Sequence, residues 1–318
     1  MSAHLPVSRR GLLKIGAGVA ATAALAAEPA AAAEGRFELT APSTSLLWRK
    51  PLYDETVLQS FAFDNVNKHI YAVQVKNGSG SSAAGHLCVT KLSLTGAILG
   101  HMYLMSFGHG VQIGVEPSGT SAYLWTETEA KVIDGEIRGT KLARFKFVNG
   151  QTLTPTSSAL TKYTLVDGAV NTTCTVDPST NRLVTRYWDG SRFRLAAYSL
   201  SAVKSGSKEE LFDVPQPTGL GTFQGYAAYG NFVYILTGNA YHTTNNPPPG
   251  NTYTHSVDLR TGKLVQRARS VAGKSLDYRE PEGMGIQIVS GAPRLCLGLA
   301  SGVEKARLAS IFYKTEVI

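Results

Sequence analysis

The chain has 318 residues, of which 43% are apolar and 17% are charged. This length allows one large domain or two modest ones, and this composition excludes a disordered or collagen-like chain. The formal net charge is +8, but no run of basic residues concentrates it, so we expect no nucleic-acid partner.

The first 33 residues are a predicted export signal. Residues 8–14 place Arg9 and Arg10 side by side before an apolar stretch, 15–27, of mainly Ala, Gly and Val. The alanines at 31–33 supply the small residues that a signal peptidase requires. This segment resembles a twin-arginine signal peptide, whose pathway exports folded proteins. The alternative, a membrane anchor, needs ~20 apolar residues, more than the stretch contains. We therefore expect a single mature domain over residues 34–318, secreted or wall-associated and without a stable membrane anchor.

Five pairs of predicted strands recur along the mature chain, and a tight turn joins the two strands of each pair. The first strand of a pair is of mixed composition, and the second is rich in Tyr, Val, Leu and Ile. The pairs are 61–64 with 69–73, 112–116 with 122–125, 173–177 with 182–187, 225–229 with 232–236, and 285–289 with 294–297. Gly, Asn, Pro and Ser between the paired strands are typical of β-hairpins.

A third predicted strand follows each pair, and a weaker fourth strand follows in most repeats. The third strands are 88–94, 142–148, 195–200, 253–259 and 308–313. A period of roughly 50 to 60 residues with four strands predicts an all-β chain folded as a five-bladed β-propeller. The last repeat lacks a fourth strand, so we expect an N-terminal strand near 36–40 or 46–49 to close the ring. A pair of β-sandwiches is the alternative, but it does not explain the recurrence.

The three cysteines and two loops have plain structural interpretations. Cys88, Cys174 and Cys296 lie in alternating apolar runs without a Cys-x-x-Cys pair, so we expect buried thiols and neither disulfides nor a zinc site. The polar segment 201–211 is predicted to be an exposed loop. The segment 245–250 contains three consecutive prolines, so it is predicted to be a stiff surface loop.

The residues just ahead of the five repeats are predicted to converge on the channel, because the innermost strand of each blade presents its first residues to the axis. They are all polar: Gln59, His109, Asn171, Gln224 and Glu282. One interpretation is a ring of hydrogen-bonding groups, with an imidazole and a carboxylate, that binds a sugar or supplies an acid/base pair. The other is a set of hydrated side chains that seal a narrow axis. The sequence leaves both open.

Further candidates combine aromatic rings with guanidinium groups, as carbohydrate sites do. They are Arg186, Trp188, Tyr241, His242 and Arg279. Each could instead pack within a blade. Glu127 and Glu129 are predicted to lie on a solvated face, and no cluster has the spacing of a metal loop, so we expect neither a metal nor a cofactor.

Three segments carry a resemblance to a known family: 106–117, 222–226 and 279–285, the last containing Glu-Pro-Glu-Gly-Met. They resemble the propeller domain shared by receptor-binding proteins of staphylococcal phages and by proteins named teichoic-acid biosynthesis protein C. The resemblance covers about residues 45–313. It implies a five-bladed propeller that meets a cell-wall or extracellular glycopolymer, and it defines no reaction.

Two functions therefore remain open for what we expect to be a monomer. In the first, the channel face binds an anionic polysaccharide or teichoic-acid-like polymer through Gln59, Asn171, Gln224, Arg186, Trp188 and Arg279. In the second, the protein is a secreted hydrolase or lyase of an acidic glycan. There, His109, Tyr241 or His242 would abstract a proton and Glu282 would act as the acid.

Overall fold

The computed structural model describes residue 1 and residues 35–79, 84–243 and 245–318. The predicted signal peptide therefore lies outside the described residues, apart from residue 1. Within the described ranges, no helix is long and apolar enough to cross a membrane. The α-helical structure there consists of α1 (Leu200–Lys204).

Strands make up most of the described chain. In chain order they are β1 (Thr44–Pro51), β2 (Leu58–Asp64), β3 (His69–Val75), β4 (Leu87–Ser93), β5 (Ile98–Leu104), β6 (Gly114–Ser118), β7 (Ser121–Thr128), β8 (Lys131–Ile133), β9 (Glu136–Arg138), β10 (Lys141–Lys146), β11 (Thr152–Leu153), β12 (Thr161–Tyr163), β13 (Val170–Asp177), β14 (Arg182–Trp188), β15 (Phe193–Ser199), β16 (Glu210–Pro215), β17 (Phe223–Tyr229), β18 (Phe232–Thr237), β19 (Tyr253–Asp258), β20 (Leu264–Arg269), β21 (Glu280–Val289), β22 (Ala292–Ser301) and β23 (Leu308–Lys314). They include the predicted hairpin strands, although β6 begins two residues later than predicted.

These strands form five blades. Blade I is β2-β3-β4-β5, with β11 added in parallel to β5; blade II is β6-β7-β10-β12; blade III is β13-β14-β15-β16; blade IV is β17-β18-β19-β20; and blade V is β21-β22-β23-β1. The first strand of each blade is innermost, and the inner strands contact one another in the order β2, β6, β13, β17, β21 and back to β2. The predicted five-bladed propeller is thereby confirmed. The hairpin of β8 and β9 stands apart from the blades, in the connection between β7 and β10.

An N-terminal segment supplies the outer strand of blade V. Strand β1 pairs with β23 in antiparallel fashion, from Thr44 opposite Tyr313 to Pro51 opposite Leu308. It includes residues 46–49, one of the two segments predicted for this position. Residue Phe37 of the other segment makes an isolated bridge to Val317.

The hydrophobic core is divided among the spaces between neighbouring blades. Blades I and II, for example, bury Tyr71 and Val89 against Leu124 and Phe145. Four further clusters fill the other four spaces between blades. Because a blade is covered on both faces, its inner strands are buried along most of their length, as β2 and β3 show.

The cysteines are free and buried, as predicted, and burial raises the pKa of the Cys88 thiol to about 12. The prediction of an exposed loop over 201–211 is wrong at both ends. Residues 201–204 belong to α1, whose Leu200 and Val203 are buried and whose N-terminus is capped by the Ser199 side chain. Residues 210 and 211 belong to β16. Leu200 and Val203 are three residues apart and therefore lie on one face of the helix. The polar residues around them obscured this pattern in the sequence.

We expect the segment that contains β1 to be indispensable for stability. A chain that starts at Pro51 loses the outer strand of blade V and the fully buried side chains of Phe37, Leu39 and Leu47. Burial of such side chains stabilises a domain by about 1.5–3 kcal/mol each, so the free energy of unfolding should fall by several kcal/mol. Urea unfolding of this chain should be compared with that of a chain that starts at Glu34. Equal free energies of unfolding for the two chains would show that β1 does not hold the ring together.

Candidate functional site at the upper mouth of the channel

The residues predicted to line the channel lie where the inner strands depart from regular pairing. Register shifts between the first and second strands fall at Gln59, at Asn171, at Gln224 and at Glu282. In blade II, His109 precedes β6 and lies outside the ladder. Such irregularities re-aim side chains and end the pairing of a strand. We call these five residues the inner-strand ring, and the end of the channel on which they lie the upper mouth.

The axis next to this ring is sealed by close backbone packing. A Cβ atom on Gly283 would lie 2.7 Å from Cα of Ser60, and one on Gly225 would lie 2.8 Å from Cα of Gly283. The fully buried Gln112 accepts a hydrogen bond from the backbone N–H of Tyr226 at 3.0 Å. Glycine is required at both contacts, because any side chain would separate the inner strands. The seal therefore consists of backbone and Gln112, and the ring residues lie at its edge.

His109 lies beside a charged pair on the β8–β9 hairpin. Its Nδ1 atom is 3.1 Å from Oε2 of Glu136, and the same carboxylate accepts a hydrogen bond from Arg138 at 3.2 Å. Burial, and secondarily the charge of Arg138, lowers the pKa of His109 to about 4. The imidazole is therefore neutral at neutral pH.

Glu127 is fully buried, so the prediction of a solvated face is wrong for this residue. Its carboxylate accepts hydrogen bonds from the backbone N–H of Gly110 at 2.7 Å and of Gly139 at 2.5 Å. Burial raises the pKa of this carboxyl, and the two N–H groups oppose that rise. A Cβ atom on Gly108 or Gly139 would lie within 2.5 Å of this side chain. The Glu127 side chain therefore occupies space that is open only because Gly108 and Gly139 have no side chains.

Glu282 is buried beside a second carboxyl group. Glu280, two residues earlier on β21, accepts a hydrogen bond from the hydroxyl of Tyr278 at 2.6 Å. Burial, together with the repulsion from Glu280, raises the pKa of Glu282 well above its ordinary value. Glu282 therefore retains its proton at pH values where an exposed glutamate has lost it, and it can donate that proton to Glu280 in a hydrogen bond.

Arg186 is a buried cation at the upper mouth. Its guanidinium carbon lies 3.5 Å from the ring centroid of Phe193 and 3.8 Å from that of Phe223, on strands β15 and β17. The Nε atom donates to Oε1 of Gln216 at 2.7 Å. The side chain forms no salt bridge with any residue that the structure describes, although the residue is only 4% exposed. Burial lowers its pKa to about 9, so the group keeps its charge at neutral pH.

The amide side chains of the ring have few internal partners. Nε2 of Gln224 donates to the carbonyl of Gly238 at 3.0 Å. Asn171 is partly exposed, with a positive φ of 51°. Gln59 lines a groove of about 440 Å³ that also includes Lys76 and Arg307.

Trp188 is also partly exposed, and it lies close to the aromatic residues around Arg186. Its ring meets that of Phe193 edge-on, at a centroid distance of 5.1 Å. Trp188 therefore extends the apolar surface beside the guanidinium.

Arg279 and Tyr241 hold loops in place. Arg279 is fully buried and donates to the carbonyls of Ala272 and Ser270 and to the hydroxyl of Thr252. The hydroxyl of Tyr241 donates to the carbonyl of Lys274 at 3.2 Å. These bonds tie the segments on either side of β19 and β20 to one another. His242, in contrast, is exposed.

Among the described residues, the candidate groups of the upper mouth are therefore separate from one another. No hydrogen bond, ion pair or ring contact joins any two of His109, Glu282 and Tyr241 in the described part of the chain. His109 and Arg186 are related through Arg138, whose charge affects the pKa of both. Residues 35–79, 84–243 and 245–318 contain no group of three or more His, Cys, Asp and Glu side chains placed to bind a metal.

The sequence patterns did not single out four residues of this mouth, Arg138, Phe193, Gln216 and Phe223, and they placed Glu127 on the wrong kind of surface. The two phenylalanines begin strands, and Gln216 directly follows one, so all three lie on the same side of the propeller as the ring. This shared position at strand ends could have indicated from the sequence that the three residues lie near the ring. No comparable signal marked Glu127, since its burial depends on glycines in two other segments.

Comparisons with known proteins agree with this architecture. Residues 57–313 match the model of a family described as "Phage 5-bladed beta propeller receptor binding platform domain". The chain is 28% identical over 288 residues to a Bacillus subtilis (strain 168) protein whose name places it in major teichoic acid biosynthesis, as protein C. That match covers 87% of this chain and 63% of the relative, so the chain spans less than two thirds of the relative's length.

A solved structure has the same fold. The tail fiber of Staphylococcus aureus phage P68 superposes with a TM-score of 0.70 and 20% sequence identity. The match covers 88% of this chain and 54% of that chain.

The raised pKa of Glu282 leads to a pH-dependent prediction. Because the unfolded chain releases this proton at a lower pH than the folded chain does, Glu282 lowers the free energy of unfolding as pH rises above its unfolded pKa. Glu282→Gln retains an N–H donor for Glu280 but has no proton to release, so its free energy of unfolding does not fall with pH for this reason. The stability of the variant relative to the wild type should therefore increase between about pH 5 and about pH 8 in urea unfolding. Glu209→Gln, at an exposed site, is the control, and an equal difference at both pH values would contradict the assignment.

Proposed function

Because the chain belongs to the family of phage five-bladed β-propeller receptor-binding platform domains, we propose that it binds an anionic cell-surface glycopolymer at its upper mouth. The observation that carries this proposal is the buried, charged guanidinium of Arg186, which has no carboxylate partner among the described residues. A polymer such as teichoic acid presents phosphate groups along a chain of sugar or polyol units.

The physical argument starts from the cost of burying a charge. An ion removed from water loses several kcal/mol of solvation unless a partner of opposite charge replaces the water. Two phenyl rings and Gln216 hold Arg186 flat and in one position, but none of them carries a negative charge. A phosphate or carboxylate from a ligand would supply that charge, and a fixed guanidinium fork matches such groups in two parallel hydrogen bonds.

The neighbours of Arg186 suit the uncharged part of a polymer repeat. Gln224 and Asn171 of the inner-strand ring are partly exposed amides, which can donate to and accept from sugar hydroxyls. The edge-on pair of Trp188 and Phe193 offers an apolar surface for the C–H face of a sugar ring. Gln59 would continue this polar lining towards the groove between blades V and I.

In this proposal Arg279 and Tyr241 position the loops of blade IV and do not touch the polymer, since their polar atoms are bonded within the protein. The names of the Bacillus subtilis relative and of the staphylococcal phage tail fiber support a ligand on the bacterial surface. We further propose that the protein is exported through the twin-arginine pathway and acts outside the cell or at the wall.

A hydrolase or lyase acting on an acidic glycan is the second candidate function. It is favoured by two shifted groups of the upper mouth, a carboxyl at Glu282 that retains its proton and a neutral imidazole at His109. An acid and a base in these protonation states are what glycan cleavage requires. Incubation with teichoic acids and uronic-acid polysaccharides separates the functions, because cleavage yields new reducing ends or unsaturated products and binding yields only retention.

Arg186→Gln should weaken retention of teichoic acid by about tenfold to a hundredfold, because a charge-assisted hydrogen bond contributes about 1.5–3 kcal/mol. Arg186→Lys should weaken it less, since the charge remains while the planar fork is lost. Both can be measured by calorimetry with purified teichoic acid at low and high salt. The matched control is Lys263→Gln, which removes one charge from an exposed turn at the opposite end of blade IV.

Two outcomes of that experiment would contradict the proposal. One is wild-type retention by a folded Arg186→Gln protein. The other is an equal loss in Lys263→Gln, which would mean that only the net charge matters. Thermal unfolding of each variant establishes that the fold is intact.

The export proposal has its own test. Replacing Arg9 and Arg10 together with lysine keeps the positive charge of the segment and removes the arginine pair that the pathway recognises. We expect the double variant to stay in the cytoplasm, folded and unprocessed, as judged by cell fractionation and the mass of the product. Normal secretion of the double variant would exclude this route.

A further inference from the structure

A second groove lies away from the channel, between the N-terminal segment and the connection from β20 to β21. Its volume is about 430 Å³, within the range of small-ligand sites. One wall consists of residues 40–43 with Trp48, and the other consists of residues 269–275. Phe312 and Lys314 of β23 complete it. We call it the lateral groove.

An irregularity in β1 places Trp48 in this groove. The pairing with β23 shifts register between Leu47 and Lys50, and Arg49 there adopts a positive φ of 47°. An ion pair of 2.6 Å between Arg49 and Asp277 holds this strained turn. Trp48 is consequently 45% exposed beside Phe312, although tryptophan is usually a buried residue. Bulges re-aim side chains, and here the bulge exposes an indole ring that a ligand can contact.

The charges of the lateral groove are all positive. Its lining includes Arg269, Lys274 and Lys314 and no acidic residue. Lys314 is only 5% exposed, and its ammonium group donates to the carbonyl of Ala41. No carboxylate lies within ion-pair distance of it in the portion of the chain that the structure describes.

Two acidic residues that flank the lining segments in the sequence already have partners. Glu38, the carboxylate whose charge acts on Lys314, accepts hydrogen bonds from Thr40 and Gln266. Asp277 is paired with Arg49. Burial lowers the pKa of the Lys314 ammonium group, and the charge of Glu38 opposes that fall. Among the described residues, neither Lys274 nor Lys314 forms an ion pair with a carboxylate, so an external anion can pair with these groups.

We propose that the lateral groove is a second ligand site, and that it takes a phosphorylated sugar unit. An exposed indole beside an apolar wall fits the C–H face of a sugar ring, and the lysine ammonium groups fit its phosphate. The unit can come from a soluble sugar phosphate or from a repeat of a wall polymer. The inference deepens the proposed function when the source is a polymer, but the site itself does not depend on Arg186.

The test uses calorimetry with glucose 1-phosphate in the Arg186→Gln protein, so that the upper mouth does not contribute. Trp48→Ala and Lys274→Gln, added separately, should each weaken the remaining binding at least about fivefold, because each removes one contact to the sugar or the phosphate. Neither side chain forms a hydrogen bond within the described protein, so both variants should fold. Lys263→Gln is again the matched control and should leave binding unchanged.

Three results would overturn the inference. They are absence of glucose 1-phosphate binding in the Arg186→Gln protein, unchanged binding in both groove variants, and equally tight binding of unphosphorylated glucose. None of them bears on the retention of teichoic acid by the Arg186 site, which is measured with wild-type Arg186 present. A second experiment, the retention of teichoic acid by Trp48→Ala, identifies the source of the phosphorylated sugar. Weaker retention indicates a polymer, and unchanged retention indicates a soluble sugar phosphate.

Discussion

The close approach of the inner strands at the axis is the constraint on which the rest of the structure depends. Gly225 and Gly283 bring the backbones of β17, β21 and β2 into contact, and Gln112, ahead of β6, accepts a hydrogen bond from Tyr226 of β17. Strands packed so tightly cannot also point long polar side chains at one another. Beside the seal the pairing shifts register, at Gln59, Asn171, Gln224 and Glu282.

Ionisable groups at the upper mouth are desolvated by burial, and the cost of desolvation is reduced in a different way for each group. Glu282 retains a proton, His109 gives one up, and Glu127 is solvated by two backbone N–H groups. A guanidinium has no such option, because its pKa stays above neutral pH even when burial lowers it. Arg186 must keep its charge, so an anion from outside the described protein is the group that would complete its surroundings.

The sequence was sufficient to predict the propeller, because hairpins, turns and spacing are local and repeat five times. The inner-strand ring was predicted from the same repeat, since position in the repeat determines position along the axis. It could not show which polar groups are already bonded. Arg186 and Arg279 look alike as residues, yet Arg279 donates to carbonyls and a hydroxyl of its own loops while Arg186 lies between two phenyl rings. That difference depends on contacts between distant segments, which one sequence does not reveal.

The lateral groove is built from the strands that complete blade V, so a ligand bound there would depend on how that blade is assembled. The same strand β1 that pairs with β23 carries Trp48 into the groove, and the Lys314 ammonium at the end of β23 donates to Ala41 ahead of β1. A phosphorylated ligand that contacts both strands would bind the folded blade and not the unfolded chain. Its binding free energy would then add to the free energy of unfolding. For a polymer long enough to reach both the groove and the upper mouth, the second contact would form within one complex, and retention would exceed what either site provides alone.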